Sequence, residues 1–336
     1  MAIRVAINGF GRIGRLMLRA IVESGRRDIE VVSVNDLGPV PTNAHLLKYD
    51  SVHGRLQAAV SVEGDIMTVA GHKIKVTAIK DPTQLPHKEL GVDIAVESTG
   101  RFTKRDDAAM HLTAGAKRVL VSAPAKGADL TVVFGVNDDK LTKEHLVVSN
   151  ASCTTNGLAP VAKVLNDKFG IEKGIMTTIH SFTNDQHTLD QLHKDLYRAR
   201  AASMSMIPTT TGAAKAVGLV LPELAGKLDG ISVRVPTPNV SLVDLKVVLA
   251  KNATAEEINA AMKAASESAR MKGILDYVDE PLVSHDFNHC PASSSFMAAQ
   301  TKVMGGNLAG VYAWYDNEWG FSNRMIDTAV AMGKLI

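Results

Sequence analysis

The chain has 336 residues, 46% of them hydrophobic and 21% charged, a composition that excludes a disordered or low-complexity protein and is long enough for two domains. A formal charge of +2, with a sequence pI near 8.4, is too mild for a nucleic-acid or anionic-membrane binder, and no stretch of about 18 apolar residues suits a membrane span. Two cysteines, Cys153 and Cys290, allow one disulfide at most; with no signal-peptide pattern before the first strand, the expectation is a cytoplasmic protein with both thiols free.

The first predicted strand, Ile3 to Ile7, runs directly into Asn8-Gly9-Phe10-Gly11-Arg12-Ile13-Gly14 and then into a helix with Ile13, Leu16, Met17, Ala20 and Ile21 inward. In this setting Gly9 permits a tight turn, Gly11 lets backbone approach a pyrophosphate, and Gly14 lets helix and strand pack closely, while the helix N-terminus faces the phosphates. A second strand, Ile29 to Asn35, ends at Asp36, 22 residues after Gly14. A carboxylate there accepts hydrogen bonds from ribose hydroxyls and repels a 2′-phosphate, so the predicted cofactor is NAD rather than NADP.

Asn43 to Tyr49 reads as a helix. Ala59 to Val62 and Ile74 to Ala78 alternate around the turns Glu63-Gly64-Asp65 and Ala70-Gly71-His72, which predicts an antiparallel insertion at a sheet edge. Val92 to Glu97, Arg118 to Val121 and Leu130 to Phe134 supply further short buried strands, as a doubly wound parallel sheet requires. Two of these end in Ser98-Thr99-Gly100 and Ser122-Ala123-Pro124, making Thr99 and Ser122 candidate cofactor contacts, with ordinary turn chemistry as the alternative.

The apolar run Leu146-Val147-Val148 leads into Ser149-Asn150-Ala151-Ser152-Cys153-Thr154-Thr155-Asn156. A helix is predicted from about Ser152 to Phe169, with Leu158, Val161, Ala162 and Leu165 on one face. Cys153 then sits in the first turn, where unpaired amides and the helix dipole favour a thiolate, and the flanking hydroxyls suit an oxyanion or a phosphate. His180 ends the next strand, Ile175 to Ser181, 27 residues after Cys153, and an imidazole there can stabilise the thiolate or take a proton. Residues 183 to 200 form a long polar loop. Strands return at Ile231 to Val235, Val240 to Leu249 and Leu308 to Tyr315, with helices from Thr254 to about Arg270 and from Asn323 to Leu335. This predicts a mostly antiparallel sheet with helices on one face. His285 to Cys290 reads as a loop without the ligand spacing of a zinc site.

The glycine turn, Ser149 to Asn156, His180-Ser181-Phe182-Thr183, Ile207 to Lys215, Arg234-Val235-Pro236-Thr237-Pro238 and Trp314 to Gly320 together resemble the phosphorylating glyceraldehyde-3-phosphate dehydrogenases, over essentially the whole chain and in the same order. The resemblance implies an α/β protein: a Rossmann-type doubly wound parallel sheet over residues 1–151, an α+β catalytic domain with a mostly antiparallel sheet over 152–316, and a C-terminal helix, 317–336, packing back on the NAD-binding domain. It implies Cys153 as nucleophile and His180 as acid/base. Thr183 and Arg234 would bind the phosphate of the substrate, and Ser152, Thr154, Thr211 and Gly212 the inorganic phosphate. Asn317 would hold the nicotinamide carboxamide, and Phe10, Arg12, Ile13 and Asp36 the rest of the cofactor.

On the same grounds the partners are glyceraldehyde 3-phosphate and inorganic phosphate, the product is 1,3-bisphosphoglycerate, and the assembly is a homotetramer with 183–200 crossing between subunits. Gly157 stands where many members carry a second cysteine, which removes a disulfide to Cys153, and Gln191-Leu192 replace a Leu-Pro pair common in strictly NAD-dependent members. The alternatives are an erythrose-4-phosphate dehydrogenase, which releases an acid, and a redox-sensing dinucleotide-binding protein.

Overall fold

The computed structural model describes residues 2–336, which divide into two compact units, 2–152 with 322–336, and 153–321. In the first unit the strands of the main sheet are β1 (Ile3–Asn8), β2 (Ile29–Asn35), β3 (Val60–Glu63), β4 (Ile66–Val69), β5 (His72–Thr77), β6 (Ile94–Glu97), β7 (Arg118–Val121), β8 (Leu130–Thr131) and β9 (Val147–Ser149), and the short strands Tyr49–Asp50 and Gly54–Arg55 pair apart from it. The main sheet has the order β8-β9-β7-β6-β1-β2-β5-β4-β3. Pairings from β8 across to β5 are parallel, and only β3, β4 and β5 pair antiparallel, which is the edge insertion foreseen from the two glycine turns. The β1 partners run outward on both sides, so the C-terminal ends of β1, β2 and β6 lie together, where open α/β sheets bind ligands.

Helix α1 (Arg12–Ser24) buries Leu16, Met17 and Ala20, and β1 buries Val5 and Ile7. Gly25, in the left-handed region at φ 64°, ends α1 and returns its N–H to the Val22 carbonyl. Helix α2 (Val40–Lys48) follows β2 and starts three residues earlier than the apolar pattern suggested, because Pro41 near its first position fixes a helical φ. Two one-turn helices, α3 (Arg105–Ala108) and α4 (Met110–Thr113), cover the crossover from β6 to β7.

The second unit opens with α5 (Cys153–Phe169) and contains α6 (Ala213–Val220) and α7 (Ala255–Ser266). Its strands are β10 (Ile171–Ser181), β11 (Ile207–Thr210), β12 (Leu228–Val235), β13 (Ser241–Leu249), β14 (Leu275–Val278), β15 (Ser294–Met297), β16 (Lys302–Met304) and β17 (Leu308–Tyr315). The order is β11-β12-β10-β13-β17-β15-β14, with β16 on β17. Two pairings, β10–β12 and β14–β15, are parallel and the rest antiparallel. Helix α5 lays Leu158, Val161 and Leu165 against β13, β15 and β17, whose Leu245, Val247, Val311 and Ala313 are buried.

Helix α7 opens on a capping box between Thr254 and Glu257 and ends at Ser266, four residues short of the sequence expectation. The last helix, α8 (Trp319–Gly333), starts four residues earlier than its apolar periodicity. Asp316 accounts for this: its Oδ1 accepts the N–H groups of Glu318 and Trp319 and so caps the extra turn. Strands β11, β14, β15 and β16 were not foreseen; they are three or four residues long, too short for alternation to show. No helix among the described residues is long and apolar enough to cross a membrane.

Candidate active site

In the second unit β10 ends at His180-Ser181, β12 ends at Arg234-Val235, and these pairs are partners in parallel register. Neighbouring strands thus bring an imidazole and a guanidinium to the same sheet end from positions 54 residues apart. The first residue of α5 is Cys153, whose Sγ lies 3.5 Å from Nε2 of His180. Cys153 is partly exposed, His180 almost fully buried.

The other ring nitrogen, Nδ1, lies 2.7 Å from the Ser181 carbonyl oxygen. A carbonyl can only accept, so Nδ1 carries the proton and Nε2 presents a lone pair to the sulfur. One guanidinium nitrogen of Arg234 lies 3.0 Å from Nδ1 and 3.2 Å from the same carbonyl, and with Nδ1 protonated it donates to the carbonyl. Burial and the nearby Arg234 charge push the imidazole down to about 3, so it is a neutral base across the physiological range.

The thiol behaves differently from the sequence expectation. Amide and hydroxyl donors at the start of α5 favour the thiolate, as foreseen, and so does Arg234, but burial outweighs them and pushes the Cys153 thiol up.

Arg234 has no carboxylate partner among the described residues, and its buried Nε has no hydrogen-bond partner. An unpaired guanidinium held this way calls for an anion. Thr183, the other residue expected on that anion, gives its hydroxyl to the Gln186 side chain at 3.2 Å. Among the residues expected at a second anion, two helix starts lie together: Thr155 Oγ1 donates to the Ala213 carbonyl at 3.4 Å, linking the first turns of α5 and α6. Gly212 caps α6 and is exposed, and Thr211 Oγ1 accepts the Ala213 N–H at 3.2 Å, so Thr211 helps cap the helix. Ser152 lies one residue before α5, and Thr154 Oγ1 is 2.8 Å from the Tyr315 hydroxyl.

Three residues in this region carried no role in the sequence reading. Tyr315 is buried and bridges Thr154 and Thr178, each at 2.8 Å, and its ring makes a T-shaped contact with His180. A Cβ at Gly157 would come within 2.9 Å of that ring, which is why glycine fits there. Asp316 accepts hydrogen bonds from Asn239, His289, Glu318 and Trp319. Ser241, at the start of β13, accepts the Ser181 N–H at 3.0 Å and donates to Asn317 Oδ1. Tyr315 and Asp316 belong to the Trp314 to Gly320 motif, whereas a lone serine beginning a strand carries no sequence signal. His285 to Cys290 contains a short 3₁₀ turn, and no cluster of metal-ligating residues occurs among the described residues.

The first unit holds a cleft of about 450 Å³ lined by Asn8, Gly9, Gly11, Asp36, Thr99 and Arg101, among others. Gly9 has φ 92°, and a Cβ on it would lie 2.6 Å from the Thr99 nitrogen; a Cβ on Gly11 would meet nothing within 4 Å. The turn is thus closed on one side and open on the other, the form a pyrophosphate needs. Asp36 takes the Phe10 N–H at 2.9 Å and the Gly38 N–H at 3.0 Å, so it anchors the glycine turn as well as lining the cleft. These residues fit a dinucleotide.

The other residues expected at the cofactor have these surroundings. The Phe10 side chain is buried; Arg12 forms an ion pair with Asp50; Ile13 is half-buried in α1; and Ser122 follows β7, its N–H on the Glu97 carbonyl. Gly14 packs against the Gly9 carbonyl, as the motif requires.

Two family models match the chain: the NAD-binding domain of glyceraldehyde 3-phosphate dehydrogenase over residues 3–105, and the C-terminal domain of the same enzyme over 152–317. The chain is 72% identical over 335 residues to a glyceraldehyde-3-phosphate dehydrogenase of Xanthobacter flavus, with all of both chains covered. It is 62% identical to that of Geobacillus stearothermophilus over 98% of each chain. Against the protein of that name from Zymomonas mobilis the identity is 61%, again over the full length of both.

Proposed function

Because the chain belongs to the glyceraldehyde-3-phosphate dehydrogenase family, we infer that it carries out the NAD-dependent phosphorylating oxidation of glyceraldehyde 3-phosphate to 1,3-bisphosphoglycerate. The observation that carries this reading is the Cys153 sulfur at 3.5 Å from a neutral, tautomerically fixed His180, beside an Arg234 with no carboxylate partner among the described residues.

Cys153 adds to the aldehyde carbon after passing its proton to His180 Nε2, and the former carbonyl oxygen is protonated to give a hemithioacetal. Bound NAD supplies the hydride acceptor. His180 removes the hydroxyl proton of the hemithioacetal as the hydride leaves carbon, so that carbon ends as a thioester on Cys153. An oxygen of inorganic phosphate then attacks the thioester carbon, and the C–S bond breaks to return the Cys153 thiolate. A thioester retains the free energy of the oxidation, which explains a cysteine rather than a serine at this position. Arg234 and Thr183 hold the substrate phosphate; Ser152, Thr154, Thr211 and Gly212 hold the attacking one. Asn317 holds the nicotinamide carboxamide, and the glycine turn, Asp36 and Thr99 hold the adenosine and pyrophosphate.

A homotetramer belongs to the same reading. It is supported by the 183–206 segment, where Leu189, Leu192, Leu196, Tyr197, Met204 and Met206 are all exposed, Leu192 by 98%. Sedimentation velocity tests it. Placement in the cytoplasm accords with two free cysteines.

The decisive assay follows NADH formation from glyceraldehyde 3-phosphate and from erythrose 4-phosphate, with and without inorganic phosphate. Phosphate-dependent turnover of the three-carbon aldehyde is expected. Phosphate-independent turnover with preference for the four-carbon aldose would overturn the assignment.

A further inference from the structure

Asn317 Oδ1 lies 2.8 Å from Ser181 Oγ and 2.8 Å from Ser241 Oγ, and all three residues are buried. Which end of the amide faces the serines follows from counting hydrogens. With the oxygen inward, each serine hydroxyl donates to it, both lone pairs are filled, and Ser241 Oγ also accepts the Ser181 N–H at 3.0 Å. With the amide reversed, the only other acceptor for either hydroxyl is the opposite serine oxygen, 3.5 Å away. Only one hydroxyl can use it, so a buried donor is left without a partner. The oxygen-inward arrangement is therefore fixed, and Asn317 Nδ2 has no acceptor among the described residues.

The placement of Ser241 is itself enforced. Val240, immediately before it, has φ 68°, a left-handed conformation costly for a β-branched residue, and is held there by burial against Phe287 and Met297. Ser241 in turn pairs with Tyr315 across β13 and β17. The carbonyl of Ser181 receives His180 and Arg234, so one residue is the common reference for the base, the guanidinium and the amide.

We propose that Ser181 and Ser241 are positioning residues for the cofactor: by filling both lone pairs of Asn317 Oδ1 they commit its Nδ2 to donate to the carbonyl oxygen of the nicotinamide carboxamide. Neither serine touches the cofactor; both act through Asn317. This rests on the reading of Asn317 as the partner of the carboxamide.

Calorimetric titration of the cofactor-free protein tests it, using NAD and its 3-acetylpyridine analogue, which keeps the carbonyl oxygen but replaces the amide nitrogen by methyl. Ser241→Ala and Ser181→Ala are each expected to weaken both dinucleotides about five- to tenfold, by the same factor for the two ligands. Asn317→Ala should weaken both at least as much, and Ser241→Ala added to Asn317→Ala should cost nothing more, since a residue acting through another is silent once that other is gone. Either serine suffices for this cycle if the other variant folds poorly. Additive losses, or a loss confined to NAD and absent for the acetyl analogue, would overturn the positioning role. If Asn317→Ala leaves both dissociation constants unchanged, the reading of Asn317 falls instead, and the serines with it.

Discussion

Arg234 acts on two neighbours with the same sign of charge. Its guanidinium lowers both the Cys153 thiol and the His180 imidazole, which keeps the base neutral while opposing the burial that pushes the thiol up. Arg234→Leu should therefore move the pH profile of Cys153 alkylation in the cofactor-free protein upward. It should also raise KM for the substrate about 10- to 100-fold through loss of a charge-assisted hydrogen bond. An alkylation profile unchanged or shifted down would remove the electrostatic role. Asp36 also has two tasks, because it binds the amides of Phe10 and Gly38 while lining the cleft. Truncation to alanine would release the glycine turn and confuse the two, whereas Asp36→Asn keeps one acceptor and removes the charge. We expect the ratio of NAD to NADP affinity to fall about tenfold in Asp36→Asn, measured by titration of both cofactors. An unchanged ratio would assign the discrimination elsewhere, with Gln191-Leu192 the next region to test.

At the scale of elements, function collects at strand ends because parallel register aligns them. The end of β6 shows what secures such an end. Glu97 Oε2 accepts from Asn8 Nδ2 at 2.7 Å and pairs with His111 Nε2 at 3.0 Å, while Oε1 accepts the Thr99 N–H at 2.8 Å and the Thr99 hydroxyl. Every partner of this buried carboxylate is a donor, so both oxygens are needed. In Glu97→Gln one end of the amide must face donors with donors. Leaving a buried donor without its acceptor costs about 1–3 kcal/mol, and the Thr99 turn should loosen with it. Both tryptophans, Trp314 and Trp319, lie in the other unit, so fluorescence would miss the change; amide hydrogen exchange over β6 and β7 would show it. Unaltered protection there would refute the clamp.

For the whole molecule, burial of histidines sets an acid limit to stability. Desolvation, with His111 nearby, lowers His87 to about 4 from the ordinary 6.5. The folded chain excludes a proton that the unfolded chain binds, so stability is complete above about pH 6.5 and falls as pH drops toward 4. The difference amounts to about 3 kcal/mol for this residue alone. His180, down to about 3, adds a loss of the same sign that extends lower. His87→Gln should flatten urea-unfolding midpoints measured between pH 7 and 4; a variant as acid-sensitive as the parent would show that other groups set the limit.

The sequence by itself determined the two sheet types, the glycine turn with Asp36, and the placing of Cys153 where a helix begins and His180 where a strand ends, because each is written in short-range spacing: period-two or period-3.6 apolar patterns, a strand running into a glycine turn, a cysteine where a helix begins. Element ends were less legible, as at Trp319, where a carboxylate cap rather than apolar periodicity decides the start of α8. Only the tertiary structure decided the tautomer of His180, the direction of the Cys153 shift, and the roles of Ser241, Tyr315 and Glu97. The tautomer rests on which atom of the neighbouring Ser181 the folded chain turns toward the ring, the Cys153 shift on burial, and the roles of Ser241 and Tyr315 on hydrogen-bond partners dozens to more than a hundred residues away; neither desolvation nor a long-range partner leaves a mark on local sequence.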